Sequence, residues 1–193
     1  EASRTFGASE RAHGMVVLHV KSTTSSPSSP SSEEETEFLH ECAATAAVAD
    51  VAAALAGTAG LQARVLSLCR RLRERCADAG AAGGELERAL SEAEAYASKV
   101  QVQHNKFLSP RALREHIKNV EKTTASVLQG SSEALCPQHL KSDEKLDSIQ
   151  LWWAGKELAM DKKLSDYIGT NDKTKIVIRL SLPMSLECAP TRC

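Results

Sequence analysis

A run of short elements between residues 149 and 180 constrains the fold of this 193-residue chain more than any other feature. Residues 149–158 (IQLWWAGKEL) read as a strand followed by a tight Ala-Gly-Lys turn. Residues 163–167 (KLSDY) then form a short ordered loop, and residues 174–180 (TKIVIRL) form a closing strand. Apolar and polar residues alternate in the closing strand, which indicates a sheet with one covered side. Both tryptophans lie in the first of these strands, so the scarce large aromatic surface is concentrated there.

The beginning of the chain predicts a hairpin. Residues 15–21 (MVVLHVK) alternate as a half-buried strand does, and residues 37–42 return as a second strand. The Ser/Pro-rich residues 22–36 between them cannot bury a core and are expected to form a long loop. Ser26 and Ser29 each precede a proline and are candidate phosphorylation sites, although a plain hydrophilic loop is the better explanation of this segment. Residues 1–14 are expected to be a disordered N-terminal extension.

The middle of the chain predicts helices. Thr45 is expected to cap a first helix that has Gly57 and Gly60 near its end, and helical spacing continues from residue 61 to 72. The glycine-rich residues 80–84 form the best internal linker. Apolar residues then repeat at steps of three and four over 86–100 and again over 113–127, after the helix-starting pair Ser109-Pro110. These two stripes predict an antiparallel helical hairpin, followed by a polar loop over 131–147.

The order strand, strand, helix, strand, strand predicts an α+β fold. It is the order of a ubiquitin-like β-grasp, whose closing strand lies parallel to the first, and residues 149–180 resemble the last half of ubiquitin. We therefore expect a mixed sheet interrupted by a helical-hairpin insertion. Residues 15–60 and 148–182 are expected to form the two parts of the β-grasp, residues 61–147 the insertion and residues 183–193 a tail.

Net charge and the lengths of apolar runs indicate which kinds of partner the chain can bind. With 24 basic and 25 acidic residues the net charge is −1, which argues against a nucleic-acid binder that works by counterion release. No apolar run approaches the roughly 18 residues of a membrane span, and no signal peptide is evident. The six cysteines form no Cys-x-x-Cys pair and are expected to be reduced thiols in the cytoplasm.

The sequence offers no catalytic, cofactor or metal set. Its six histidines are scattered, and no nucleophile elbow, phosphate-binding glycine loop or His-Glu-x-x-His motif occurs. Cys136 and His139 have the spacing of half a zinc site without a second half. Cys69 and Cys76 lie two turns apart on a predicted helix and are expected to be packing residues. A protein that acts by binding is the better expectation.

Three groups of residues carry a family resemblance. Residues 15–21, the double-Trp stretch 150–158 and residues 162–176 resemble the Kurly family of cilia- and flagella-associated proteins, and residues 89–96 and 108–113 fall where that family has its helical pair. The resemblance covers most of residues 15–180. It implies a cytoplasmic and ciliary protein, at the cilium, flagellum or basal body, that is needed for ciliary motility. It also implies action in assembling axonemal dynein arms, through protein partners rather than chemistry. The tail after residue 180 departs from the charged tail of that family.

Alternation along the strands predicts where a partner would bind. Leu151 and Trp153 are expected to face the helix, and Trp152 the open face of the sheet. Lys175, Val177 and Arg179 are expected on that open face too, so an aromatic side chain would be rimmed by cations, as in many protein interfaces. Asp166 and Tyr167 are expected to order their loop by local hydrogen bonds.

Two other functions remain open at this point. One is a ubiquitin-like adaptor outside cilia, and the other is a structural component of axonemal microtubules. A modifier conjugated through its carboxyl end is not expected, because no diglycine follows Leu180.

Overall fold

The structure, a computed structural model, describes residues 14–24, 34–79, 84–127, 149–169 and 174–182. The strands in these ranges are β1 (Met15–Thr24), β2 (Glu34–Ala43), β3 (Gln150–Trp153), β4 (Lys156–Glu157) and β5 (Lys175–Ser181). The helices are α1 (Val48–Ala79), α2 (Gly84–Ala97), α3 (Val100–Gln103), α4 (Pro110–Val127) and α5 (Ser165–Ile168).

The strands form one mixed sheet in the order β2-β1-β5-β3-β4. β1 pairs antiparallel with β2 and parallel with β5, with Leu18 opposite Ile176 in the parallel pair. β5 pairs antiparallel with β3, where Leu151 lies opposite Leu180. The predicted parallel pairing of the first and closing strands is confirmed, and so is the α+β class with a helical insertion between strands.

One face of the sheet holds the core because apolar residues recur at every second position. Val16, Leu18 and Val20 of β1 are fully buried, and the alternate residues of β5 are buried beside them. The first half of α1 covers this face with an apolar stripe that includes Leu55. Removal of such side chains from water is the main stabilising contribution to a domain of this size.

α1 is longer than the sequence predicts. The helix was expected to end near Gly57 and Gly60, but it runs without a break to residue 79. Leu55 and Leu61, which flank the two glycines, are both buried, so packing outweighs the roughly 1 kcal/mol that a glycine costs inside a helix. The helix also begins at Val48, whose N–H donates to the carbonyl of Lys162, rather than directly after Thr45.

The insertion is a three-helix arrangement rather than a hairpin alone. α2 and α4 contact each other as predicted, and both also pack on the second half of α1. The shared apolar core of these helices comprises Val65, Leu68, Leu72, Leu86, Leu90, Ala93, Leu113, Ile117 and Val120. A single long helix therefore belongs to both the sheet core and the insertion.

The length and apolar composition of α1 bear on the expectation that the chain has no membrane-spanning segment. Its residues 48–75 are long and apolar enough to cross a bilayer by length and composition, which corrects the expectation that no apolar run approaches the length of a membrane span. Of the most apolar 18-residue stretch of this helix, 56% is buried against the rest of the protein. The apolar content of α1 is thus accounted for by packing on the sheet and on the other helices.

Several expectations fall on residues outside the described ranges. They are the candidate phosphorylation sites Ser26 and Ser29, the half zinc site at Cys136 and His139, the polar loop 131–147 and the tail 183–193. The side chain of Cys76 is likewise not described, whereas Cys69 is buried as a packing residue should be. These expectations, and the division into domains, stay predictions.

Candidate protein-interaction face

The face of the sheet opposite α1 carries the predicted interaction residues. Trp152 lies directly opposite Arg179 in the β3–β5 pair, so both side chains leave the sheet on the same side. Arg179 in turn lies opposite Lys21 of β1, and Trp152 lies opposite Glu157 of β4. Four neighbouring strands thus contribute a row of side chains to this open face.

The open face contains a groove of about 770 Å³. The groove is lined by Lys21, Gln150, Trp152, Ala154, Gly155, Val177, Arg179 and Ser181. Trp152 is half-buried and Val177 is 51% exposed, so apolar surface remains accessible on the sheet. A groove of mixed apolar and cationic surface is suited to contact with a protein.

The β3–β4 turn shapes one end of this groove. Ala154 and Gly155 form a two-residue connection between the paired residues Trp153 and Lys156, and both have positive φ, 49° and 79°. A two-residue hairpin loop with positive φ at both positions is the type I′ turn that matches strand twist. Gly155 adopts this conformation without strain, whereas Ala154 does so at a cost.

The charged groups of the face differ in how they are compensated. Lys21 forms an ion pair with Glu37 at 3.2 Å, and Glu37 also accepts a hydrogen bond from His19 at 2.9 Å. Partial burial alone would raise the pKa of Glu37, but the contacts with His19 and Lys21 outweigh it and the pKa is lowered. In the described part of the chain, Arg179 has neither an ion pair nor a hydrogen bond through its guanidinium.

Lys175 takes a different place from the one predicted. It is exposed on the same face, but it does not line the groove. Its ammonium donates a hydrogen bond to Oδ1 of Asn105, in the insertion, at 3.4 Å. The structure therefore brings three of the four predicted residues, Trp152, Val177 and Arg179, into one groove, and places Lys175 at its border with the insertion.

Other side chains behave as the alternation predicts. Leu151 is fully buried and Trp153 packs against the core cluster from its rim. Asp166 accepts a hydrogen bond from the N–H of Lys163 at 3.1 Å, and the hydroxyl of Tyr167 accepts one from the N–H of Ala159 at 2.9 Å. Both residues order their own loop, as expected.

Sequence reasoning left out some lining residues. Lys21 follows from the alternation in β1, and Gln150 and Ser181 follow from their distance of two residues from Trp152 and Arg179. Asn105 carries no local signal, because its contact with Lys175 depends on how the insertion folds back. Across the described ranges, no group of three or more His, Cys, Asp or Glu residues is placed to hold a metal ion.

Comparison with known families gives one match, which includes most of the residues that line the groove. The model of the family described as "Cilia- and flagella-associated protein 298" matches residues 149–192, which include β3, β4 and β5. This is the family, also called Kurly, that the sequence resembles. No solved structure is significantly similar to the chain.

Curated relatives agree with the family model. Cilia- and flagella-associated protein 298 of Rattus norvegicus is 30% identical over 109 residues, and that of Homo sapiens is 29% identical over 109 residues. Each alignment covers 49% of this chain and only 38% of the relative, so the chain matches well under half of their length. Protein 298-B of Xenopus laevis is 64% identical over a shorter stretch of 31 residues, 16% of this chain and 11% of the relative.

Proposed function

We propose that this chain, which is similar to cilia- and flagella-associated protein 298 over about half of its length, acts in ciliary motility, in the assembly of axonemal dynein arms, without catalysis. In this proposal its site of action is the cytoplasm and the cilium, flagellum or basal body, and it works through protein contacts. The observation that carries the proposal is the pair formed by Trp152 and Arg179 on an open face of the sheet, where Arg179 has no ion pair with any described residue.

The geometry of this pair specifies the partner's contact chemistry. A partner that lays an apolar side chain on Trp152 and Val177 removes their exposed surface from water. A carboxylate beside that side chain would pair with the Arg179 guanidinium through charge-assisted hydrogen bonds. Trp and Arg are the residues most enriched among those that dominate interface energies. The proposed occupant of the groove is therefore a protein segment that offers an apolar and an acidic side chain together.

We also propose that the two ends of the chain form a ubiquitin-like β-grasp. The sheet order β2-β1-β5-β3-β4, the parallel β1–β5 pair and the coverage of one face by α1 support this assignment. An experimental structure in which the β3–β5 pair is not adjacent to β1 would refute it.

Affinity capture tests the docking face. Wild type, Trp152→Ala and Arg179→Ala, purified with unchanged circular dichroism, would be used as baits in extract from cells regrowing flagella, with isotope-ratio quantification. Truncation of an interface anchor typically costs about 2 kcal/mol, so we expect dynein-arm assembly proteins to be recovered about 30-fold less. Lys118→Ala, an exposed change on α4, is the matched control. Equal recovery with all four baits would refute the docking face.

Cell fractionation separates the proposed role from a structural one. An assembly factor stays with the soluble cytoplasm, whereas a component of the microtubule doublets stays with salt-washed axonemes. We expect the protein in the soluble fraction, and loss of its function should reduce the number of dynein arms in electron micrographs. Retention of most of the protein on salt-washed axonemes would favour the structural alternative instead.

A further inference from the structure

We infer that the partner of the open face also contacts residues 100–107 of the insertion, and that its contacting segment is acidic. These residues, the insertion segment, comprise α3 and the first part of its link to α4. The inference rests on the proposed function for the location of one half of the contact and for the acidic side chain at Arg179. It adds a second half to the contact and extends the acidic preference to that half.

The insertion segment is joined to the open face. Asn105 accepts the hydrogen bond from Lys175, which stands two residues before Val177 on the same face of β5. α3 also contacts β2. Leu39 of β2 lies opposite His19 on the open face, outside the main core cluster, and yet is only 1% exposed. The insertion therefore reaches this face at β2 and at the start of β5, and leaves the groove beside Trp152 uncovered.

Hydrogen bonds hold the insertion segment in a defined conformation. The N–H of Lys106 donates to the carbonyl of Gln101 at 2.9 Å, which closes a tight turn around Asn105 with its φ of 51°. The hydroxyl of Tyr96 accepts a hydrogen bond from the N–H of Ser109 at 3.0 Å and ties the link to α2. A preformed segment of this kind loses little conformational freedom when a partner binds.

Exposed apolar side chains concentrate on these two surfaces. Among the described residues, four large hydrophobic residues have much of their surface exposed to solvent: Met15 (44% exposed), Val100 (45%), Phe107 (45%) and Val177 (51%). By strand alternation Met15 and Val177 belong to the open face, whereas Val100 and Phe107 belong to the insertion segment. Accessible apolar surface collected in one region is typical of an interaction site.

The charges of the region favour an acidic partner. In the described part of the chain, the side chains of Arg179 and Lys106 have no ion pair, and Lys175 bonds only to the neutral amide of Asn105. Of the carboxylates on this face, Glu37 is already compensated by His19 and Lys21. Glu35 and Glu41 also lie on this face, on the edge strand β2, where β1 separates them from the residues of β5. Glu157 lies opposite Trp152. An acidic segment with apolar side chains therefore complements both halves of the surface.

Site-specific photo-crosslinking tests the two-part contact. Benzoylphenylalanine would replace Val177, Phe107 or, as a control on exposed α4, Arg114, in the full chain expressed in ciliated cells. We expect the Val177 and Phe107 positions to crosslink to the same protein and to adjacent peptides of it, and the Arg114 position to give neither. A Phe107 position that crosslinks nothing, or a different protein, would overturn this inference and leave the proposed function standing. A Val177 position that crosslinks nothing would overturn both.

The charge preference is tested with the crosslinked peptide itself, resynthesised as found and with its Asp and Glu residues replaced by Asn and Gln. In fluorescence anisotropy titrations, Lys106→Glu is expected to weaken binding of the original peptide about threefold to tenfold, with little effect on the neutral analogue. Lys118→Glu, the same charge change on α4, should weaken neither. Equal binding of the two peptides, or an equal effect of the two substitutions, would overturn the acidic assignment.

Discussion

Gln62 of α1 donates its side-chain amide to the carbonyl oxygen of Ala97, the last residue of α2, at 2.8 Å. The same amide nitrogen donates to the carbonyl of Glu37 in β2 at 3.2 Å, and the side chain is completely buried. One amide group therefore satisfies backbone acceptors of the sheet and of the insertion at once. It fixes the end of α2 beside the edge strand, directly before the insertion segment.

Replacement of Gln62 by leucine should destabilise the protein. Leucine keeps most of the volume but leaves the buried carbonyl of Ala97 and the partly buried carbonyl of Glu37 without this donor, and the loss at a buried acceptor costs about 1–3 kcal/mol. We expect the free energy of unfolding in urea to fall by about 2 kcal/mol. Gln103→Leu, at an exposed position on α3, is the control and should change little. Equal effects of the two substitutions would argue against a stabilising role for the hydrogen bonds of Gln62.

The lowered pKa of Glu37 gives the stability a defined pH dependence. Because its pKa in the folded protein lies below the ordinary value of 4.5, the contribution of this carboxylate is present above pH 4.5 and is lost as pH falls through the folded-state pKa. Glu37→Gln should therefore cost about 1–2 kcal/mol at pH 6 and progressively less towards pH 3. Urea unfolding of both proteins across this range is the measurement. Glu41→Gln, an exposed carboxylate on the same strand, controls for a general surface-charge effect.

The stability of the protein can be raised by a substitution at Ala154 in the β3–β4 turn. Ala154→Asn should stabilise the protein by roughly 1 kcal/mol, since asparagine tolerates positive φ better than alanine does. Gly155→Ala should destabilise it by about 1–2 kcal/mol for conformational reasons alone, because nothing lies within 4 Å of a Cβ built there. Thermal unfolding of the two variants should give shifts of opposite sign. Shifts of the same sign would contradict the type I′ assignment.

Cys42 should react slowly with alkylating agents. Burial, together with the neighbouring Glu41, raises the pKa of this thiol from 9.0 to about 11. At pH 8 the thiolate is then about 100-fold scarcer than in an ordinary cysteine, and alkylation proceeds through the thiolate. Iodoacetamide labelling followed by peptide mass spectrometry should show the Cys42 peptide modified about 100-fold more slowly in the native protein than in urea. Labelling at equal rates would refute the raised pKa.

Local patterns predicted the parts of this structure that depend on strand alternation. The buried residues of β1 and β5 could be read directly, and the outward position of Trp152 followed from the inward position of Leu151. The continuity of α1 through Gly57 and Gly60 could not be predicted, because packing on two sides outweighs the helix propensity of two glycines.

The position of Lys175 was also beyond local reasoning. Its contact with Asn105 joins residues that are 70 positions apart, and it exists only because α3 and its link fold back to the sheet. The same holds for the burial of Leu39 on a face that the sequence predicts to be open. The outline of the groove thus required the three-dimensional arrangement of the insertion.

β5 occupies the middle of the sheet and is the last of its described strands along the chain. During translation, the hairpin of β1 and β2 and the helices leave the ribosome with the centre of the sheet still missing. The apolar face of that hairpin, formed by Val16, Leu18, Val20 and Phe38, is synthesised more than a hundred residues before its parallel neighbour β5. Long-range pairings of this kind form slowly. Nascent chains of this protein are consequently suited to chaperone capture, and a premature stop codon ahead of β5 would remove the strand that unites the two halves.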